Sequence, residues 1–162
     1  MSRNVSVNSE SVNYAQSISV GPHKLQSDEP PAVGGKDAGP NAQELLMASL
    51  GACATITVQM YAERHQWPLK GVGANLSHSR VLAQNPGVSG AAIGTVDQLN
   101  MEISFTGDLS EEQRNRLFEI ANRCPIHRLL TSQVQIHSRL LAPSSPALVN
   151  PPNQALPQSG PR

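Results

Sequence analysis

Gly39-Pro40-Asn41-Ala42-Gln43-Glu44-Leu45-Leu46-Met47-Ala48-Ser49-Leu50-Gly51-Ala52-Cys53 reads as the opening of a helix. Asn41 is a favoured N-cap, and Glu44 stands three residues on, where its carboxylate can reach back to the Asn41 backbone N–H as a capping box. Leu46, Leu50, Cys53, Thr57 and Met60 then recur at helical spacing, while Leu45, Ser49, Ala52 and Ile56 widen the apolar face. Glu63, Arg64 and His65 make the last turns polar, and Trp67-Pro68 forbids continuation. A helix polar only at its ends is expected to run through the core, with Cys53 at its middle. The apolar stretch from Leu45 to Val58 is interrupted by Ser49, Gly51, Thr55 and Thr57 and falls short of the ~20 residues of a membrane span, so a buried helix is expected and a membrane partner is not.

On the N-terminal side, Val12, Tyr14, Gln16, Ile18 and Val20 alternate with smaller or polar residues, the pattern of a strand with one buried face. Gly21-Pro22 ends it, His23 to Gln26 returns as a short second strand, and Asp28-Glu29-Pro30-Pro31 with Gly34-Gly35 reads as an irregular loop. On the C-terminal side, Val72 to His78 reads as a strand, Gln84 to Gly94 as a mobile loop, and Leu99, Met101, Ile103 and Phe105 as a strand with clear alternation. Ser110-Glu111-Glu112-Gln113 is a second capping box, opening a helix whose inner face is expected to carry Leu117, Ile120, Ala121 and Cys124. Pro125 marks its end and opens one more helical turn over Ile126 to Thr131, and Val134 and Ile136 read as a last strand. The division expected is one domain over residues 1–142 and a disordered, Pro-rich tail over 143–162, whose composition cannot bury a core.

The formal net charge is zero, so no global field draws in nucleic acid, and five scattered aromatic residues make no base-stacking platform. The first residues hold no apolar stretch that would serve as a signal-peptide core, which makes the cytoplasm the expected location. Two cysteines in a reducing compartment do not suit a standing disulfide, and two thiolates alone do not make a zinc site. A buried Cys is by default a small hydrophobe. Cys53 and Cys124, however, both fall on faces expected to point inward, and Cys124 precedes Pro125 at a helix junction where unpaired N–H groups can stabilise a thiolate. His127 and Arg128 offer a proton acceptor and a cation near the same spot, against the alternatives of a structural imidazole and a surface ion pair. A Cys–His hydrolase or transferase is the competing chemistry, but no Gly-rich elbow or family-type signature frames either cysteine.

Gly34-Gly35-Lys36-Asp37-Ala38-Gly39-Pro40-Asn41-Ala42-Gln43-Glu44-Leu45-Leu46, running into Ala48 to Cys53 and Met60 to Arg64, resembles the first-cysteine segment of the OsmC/Ohr family. Ile120-Ala121-Asn122-Arg123-Cys124-Pro125-Ile126-His127-Arg128 is similar to that family's second-cysteine segment. The likeness covers about residues 12–141 and is strongest to the OsmC-like branch with a Gly-Pro-x-x-x-Glu-Leu-Leu opening. It implies an α+β fold built as an intertwined homodimer, with central cysteine-bearing helices packed against β-sheets. It also implies reduction of organic hydroperoxides, and of hydrogen peroxide, without metal, flavin or other cofactor. Cys53 takes the peroxidatic role and Cys124 the resolving one, and an external dithiol, with lipoyl-type thiols as one candidate class, resets the pair. The alternative is a redox-sensing or small-molecule-binding protein on the same fold.

The sequence also departs from the resemblance. Organic hydroperoxide resistance enzymes place a catalytic Glu ten residues before the first cysteine, where this chain has Gln43, with Glu44 next to it. One residue is about 100° of helical rotation, so Glu44 competes between a catalytic role and capping the helix. Those enzymes also use an Arg from the N-terminal hairpin, and this chain has none between Asn4 and Glu63. Arg128, Lys24 and Arg3 are the candidate replacements.

Overall fold

The computed structural model describes residues 3–9, 14–82 and 94–141. They form two compact units, the first running to Asn41 and resuming at Ile136, the second spanning Ala42–Gln135.

The first unit holds three antiparallel strands in the order β1 (Val5–Ser9), β2 (Gln16–Val20) and β3 (His23–Ser27). Pairing of Val20 with His23 leaves Gly21-Pro22 as a two-residue hairpin turn, as their place in the sequence predicts. β1 was not anticipated. It is a five-residue edge strand whose Val5 and Val7 are exposed, so its alternation carries little burial signal. The expected strand from Val12 begins instead at Gln16; Val12 lies outside the described residues. After β3 the loop is organised by Asp28, which is buried. One carboxylate oxygen accepts the Glu29 N–H at 2.8 Å, and the other accepts the N–H groups of Lys36 at 2.9 Å and Ala38 at 3.2 Å. Burial opposes ionisation of Asp28, yet these backbone donors hold its carboxyl below the usual range. Gly35 is where this loop closes on itself, because a side chain there would collide with the Glu29 carbonyl.

The second unit opens with α1 (Ala42–Arg64), which places Cys53 at its midpoint. The helix ends in a Schellman arrangement: Gln66 takes φ +55°, its N–H reaches the Glu63 carbonyl at 3.0 Å, and the Trp67 N–H reaches Ala62 at 2.9 Å. β4 (Leu69–Leu82) and β5 (Thr95–Gly107) follow as an antiparallel hairpin with a bulge at Leu69/Gly71, longer at each strand than the residues singled out in the sequence. Of the expected loop Gln84 to Gly94, all but Gly94 lies outside the described residues, as does the tail from residue 142 onward.

α1 packs against β4 and against the two helices that follow, burying Leu50, Gly51, Ala54, Val58 and Ala62. Gly51 sets the approach, since a Cβ there would stand 2.8 Å from Leu76 Cδ1. Only this stripe is buried; Leu46, Ile56 and Met60 are exposed, so α1 is a one-faced core helix rather than one enclosed all round. By length and composition α1, at 23 residues, is long and apolar enough to cross a bilayer, unlike the shorter apolar stretch read from the sequence, and 28% of its apolar window is buried within the structure.

α2 (Glu111–Ala121) starts with the expected capping box: Ser110 Oγ accepts the Gln113 N–H at 3.2 Å, and Gln113 Oε1 accepts the Ser110 N–H at 3.0 Å. Arg114 fastens the helix to β5 by donating to the carbonyls of Phe105 and Gly107. Leu117 and Ala121 complete the core with Leu109 and Cys124. Cys124 does not sit on the inner face of α2. The helix stops at Ala121, and Cys124 is the extended N-cap (φ −62°, ψ 154°) of α3 (Pro125–Thr131), because Pro125 lacks an N–H and disfavours helical backbone at the residue before it. The last strand expected at Val134 and Ile136 is absent among the described residues: no ladder takes up their backbone groups, and both side chains are exposed.

Candidate functional site

The two cysteines, 71 residues apart in sequence, meet in the second unit. Cys124 is fully buried, and Cys53, half-buried, packs against the core cluster that holds it. The Cys124 Sγ also accepts the backbone N–H of His127 at 3.4 Å, and so caps α3. Burial pushes the Cys124 thiol up from its ordinary value, and the adjoining Cys53 adds to the rise, against the opposing N–H groups of His127 and Ile126. The balance favours the thiol over the thiolate at Cys124.

The helices that carry and follow the cysteines also wall an open cavity of about 490 Å³, which neither cysteine lines. Gln43, Leu46 and Leu50 of α1 form one wall, on the helical stripe that continues to Cys53. His127, Leu130 and Thr131 of α3 form a second, and the third comes from the hairpin. There Asp97 Oδ1 pairs with His78 Nε2 at 2.9 Å and with Arg80 Nε at 3.2 Å, while Leu99 supplies apolar surface. The hydrogen bond from His78, then that from Arg80, lowers the Asp97 pKa below its usual value. The arrangement offers four leucines for an aliphatic body and a charged cluster for a polar end.

Of the residues singled out in the sequence, the structure brings Cys53, Cys124 and His127 together. Arg128, the cation expected near Cys124, is exposed in the last turn of α3; His127 lines the cavity and Arg128 does not. Glu44 is exposed in the first turn of α1, nine residues before Cys53, which on an ideal helix is about 180° away and ~13.5 Å along the axis. Gln43, not Glu44, lines the cavity. Lys24 donates to Ser19 Oγ at 2.7 Å within the strands of the first unit.

His78, Arg80 and Asp97 escaped the sequence reading. Their signal was present: His78 and Arg80 are spaced to share one face of β4, and Asp97 stands two residues before Leu99 in the alternating run. What brings them together is the register, in which Arg80 is opposite Asp97. Among the described residues no group of three or more His, Cys, Asp or Glu is placed to hold a metal ion.

The sequence profile described as OsmC-like protein matches residues 34–139. No curated protein matches the chain. Among solved structures, the chain is similar to an organic hydroperoxide resistance protein OsmC from Legionella pneumophila, with 17% identity, a TM-score of 0.60, and coverage of 81% of this chain and 90% of that one. It is also similar to a putative osmotic stress induced and detoxification response protein from Psychrobacter arcticus, with 18% identity, a TM-score of 0.60, and coverage of 77% and 85%. The organic hydroperoxide resistance protein OhrB of Bacillus subtilis matches with 17% identity, a TM-score of 0.51, and coverage of 81% and 91%. At these identities the structures speak for the fold, and the profile spans most of the chain: the protein belongs to the OsmC-like family and has the OsmC/Ohr fold, mixed in helix and sheet.

Proposed function

We propose that this protein is a cysteine-based peroxidase that reduces organic hydroperoxides in oxidative-stress defence. The observation that carries the reading is the asymmetry of the sulfur pair: two thiols packed in one core cluster, Cys53 half-buried on the α1 stripe that runs into an amphipathic cavity, and Cys124 fully buried, where burial favours the thiol. Cys53 is the attacking sulfur. Its thiolate displaces alkoxide from the O–O bond and becomes a sulfenic acid; the alkoxide takes a proton to leave as alcohol. The Cys124 thiol then attacks the sulfenic sulfur, giving the Cys53–Cys124 disulfide and water. An external dithiol returns the pair to two thiols and leaves as its own disulfide. The leucine walls of the cavity favour peroxides with an aliphatic body over hydrogen peroxide. The exposed Ile56 and Met60 of α1 suit an interface, and with the family's fold they support a homodimer packed through this helix, working in the cytoplasm.

The test is dithiol consumption driven by cumene hydroperoxide, with the intact protein weighed after one equivalent of peroxide. The expected result is turnover and a monomer lighter by about 2 Da, one hydrogen from each thiol. Cys53→Ser should be inert, and Cys124→Ser should stop at sulfenic acid or overoxidise. Equal oxidation of both single-cysteine variants, or no turnover with an intact fold, sinks the mechanism. Light scattering at micromolar concentration should return about twice the chain mass; a clean monomer removes the dimer.

A further inference from the structure

The buried sulfur is also a structural part. Cys124 fixes the first turn of α3 twice, its Sγ accepting the His127 N–H at 3.4 Å and its carbonyl accepting the Arg128 N–H at 3.1 Å. α3 is seven residues long and buries none of them; it packs against α1, and Ile126 reaches partly into the core. A helix this short has little stability of its own, so the cap and those contacts hold it in place. Three of its residues, His127, Leu130 and Thr131, are the cavity wall. Cys53 packs against the core cluster that holds Cys124, and a disulfide requires the two sulfurs to sit about 2.0 Å apart with a fixed dihedral angle, so the bond redraws the position that Cys124 Sγ takes as the cap.

We propose that formation of the Cys53–Cys124 disulfide uncaps α3 and loosens the cavity wall made by His127, Leu130 and Thr131, so that the oxidised protein opens the route by which a dithiol reaches the sulfurs. The inference rests on the proposed peroxidase reading for its biological setting. Its chemical content is separate, because any two-electron oxidant that takes two hydrogens from the thiol pair produces the same disulfide. The arrangement answers a difficulty that the reduced fold poses: Cys124 has no exposed surface, yet the disulfide it forms must be attacked by an external thiolate. Opening on oxidation, and closing on reduction, admits the reductant only when there is a disulfide to reduce.

The full-length protein is oxidised with diamide, which takes up the two hydrogens as it becomes the hydrazine, and disulfide formation is verified by mass. Amide hydrogen exchange is then compared between reduced and oxidised forms. The expected result is exchange faster by about tenfold or more for residues 126–131, with 111–121 of α2 unchanged. Cys124→Ser, which keeps an oxygen cap but cannot form the bond, and Cys53→Ser should both give α3 exchange that diamide does not alter. Unchanged or slower α3 exchange in verified disulfide, a diamide response in either single-cysteine variant, or failure of diamide to join the cysteines overturns the proposal. An α3 response to diamide in a protein that does not turn over peroxide leaves this inference standing and removes the peroxidase reading instead.

Discussion

α2 and α3 follow one another in the same unit, yet they are held by different means. α2 begins with a reciprocal capping box of hydroxyl and carboxamide, carries Glu111 and Glu112 in its first turn where the helix dipole favours them, and buries Leu117 and Ala121. α3 begins with a thiol, has no acidic residue in its first turn, and buries nothing. A cap of oxygen and a core anchor make a fixed element. A cap of sulfur makes an element whose stability depends on the chemistry of that sulfur, and it is this second helix that walls the cavity.

The difference is broken or sharpened most forcefully in the anchors. Leu117→Ala removes a fully buried side chain and should cost about 2–5 kcal/mol in denaturant unfolding, whereas Leu129→Ala on the exposed side of α3 should stay within about 0.5 kcal/mol. Comparable losses would show that α3 is as firmly seated as α2. The cap of α2 comes next: Ser110→Ala should cost about 1 kcal/mol, with faster exchange confined to the first turn of that helix. Smaller still is an alkaline effect. The folded state raises the Cys124 thiol above its ordinary value near 9, so the stability linked to its proton is fully present below that pH and is lost as pH rises through the folded value. Thermal melts from pH 7 upward should therefore steepen in decline above about 9, and Cys124→Ala should be flatter over that range. Last is the exposed cluster on the hairpin. Asp97 has a depressed pKa, so its contribution is present above the unfolded value near 3.8 and lost as pH falls through the folded one; a small deficit of Asp97→Asn at neutral pH should vanish in acid. A deficit that persists at low pH would place the effect in packing instead.

Local chemistry was the legible part of the molecule. Asn41 and Trp67-Pro68 bracket α1, Ser110 to Gln113 announce α2, and Leu99 to Phe105 declare their strand, because each signal is contained within a few neighbours. Pro125 announced the break before α3, but counting helical positions across it placed Cys124 on the wrong element. The cavity's third wall was not legible, since His78, Arg80 and Asp97 become a cluster only through cross-strand register, a tertiary property. Val134 and Ile136 show the converse: alternation without a partner ladder leaves irregular chain. The two cysteines were legible as a pair through their segments, and their unequal burial was not, because it depends on how α1, α2 and α3 close around them.

Trp67 is the only tryptophan, and it stands just past α1 with its ring 5.5 Å from that of Tyr61 and 5.6 Å from that of His65. From Cys53 to the last residue of α1 is about 16 Å along the helix axis, in the direction opposite to Gln43 and the cavity. The natural fluorophore is thus stationed at the far end of the helix that carries the attacking sulfur. Emission changes that accompany oxidation would record motion transmitted through α1, and a silent spectrum would show that the reacting end is mechanically insulated from the aromatic one.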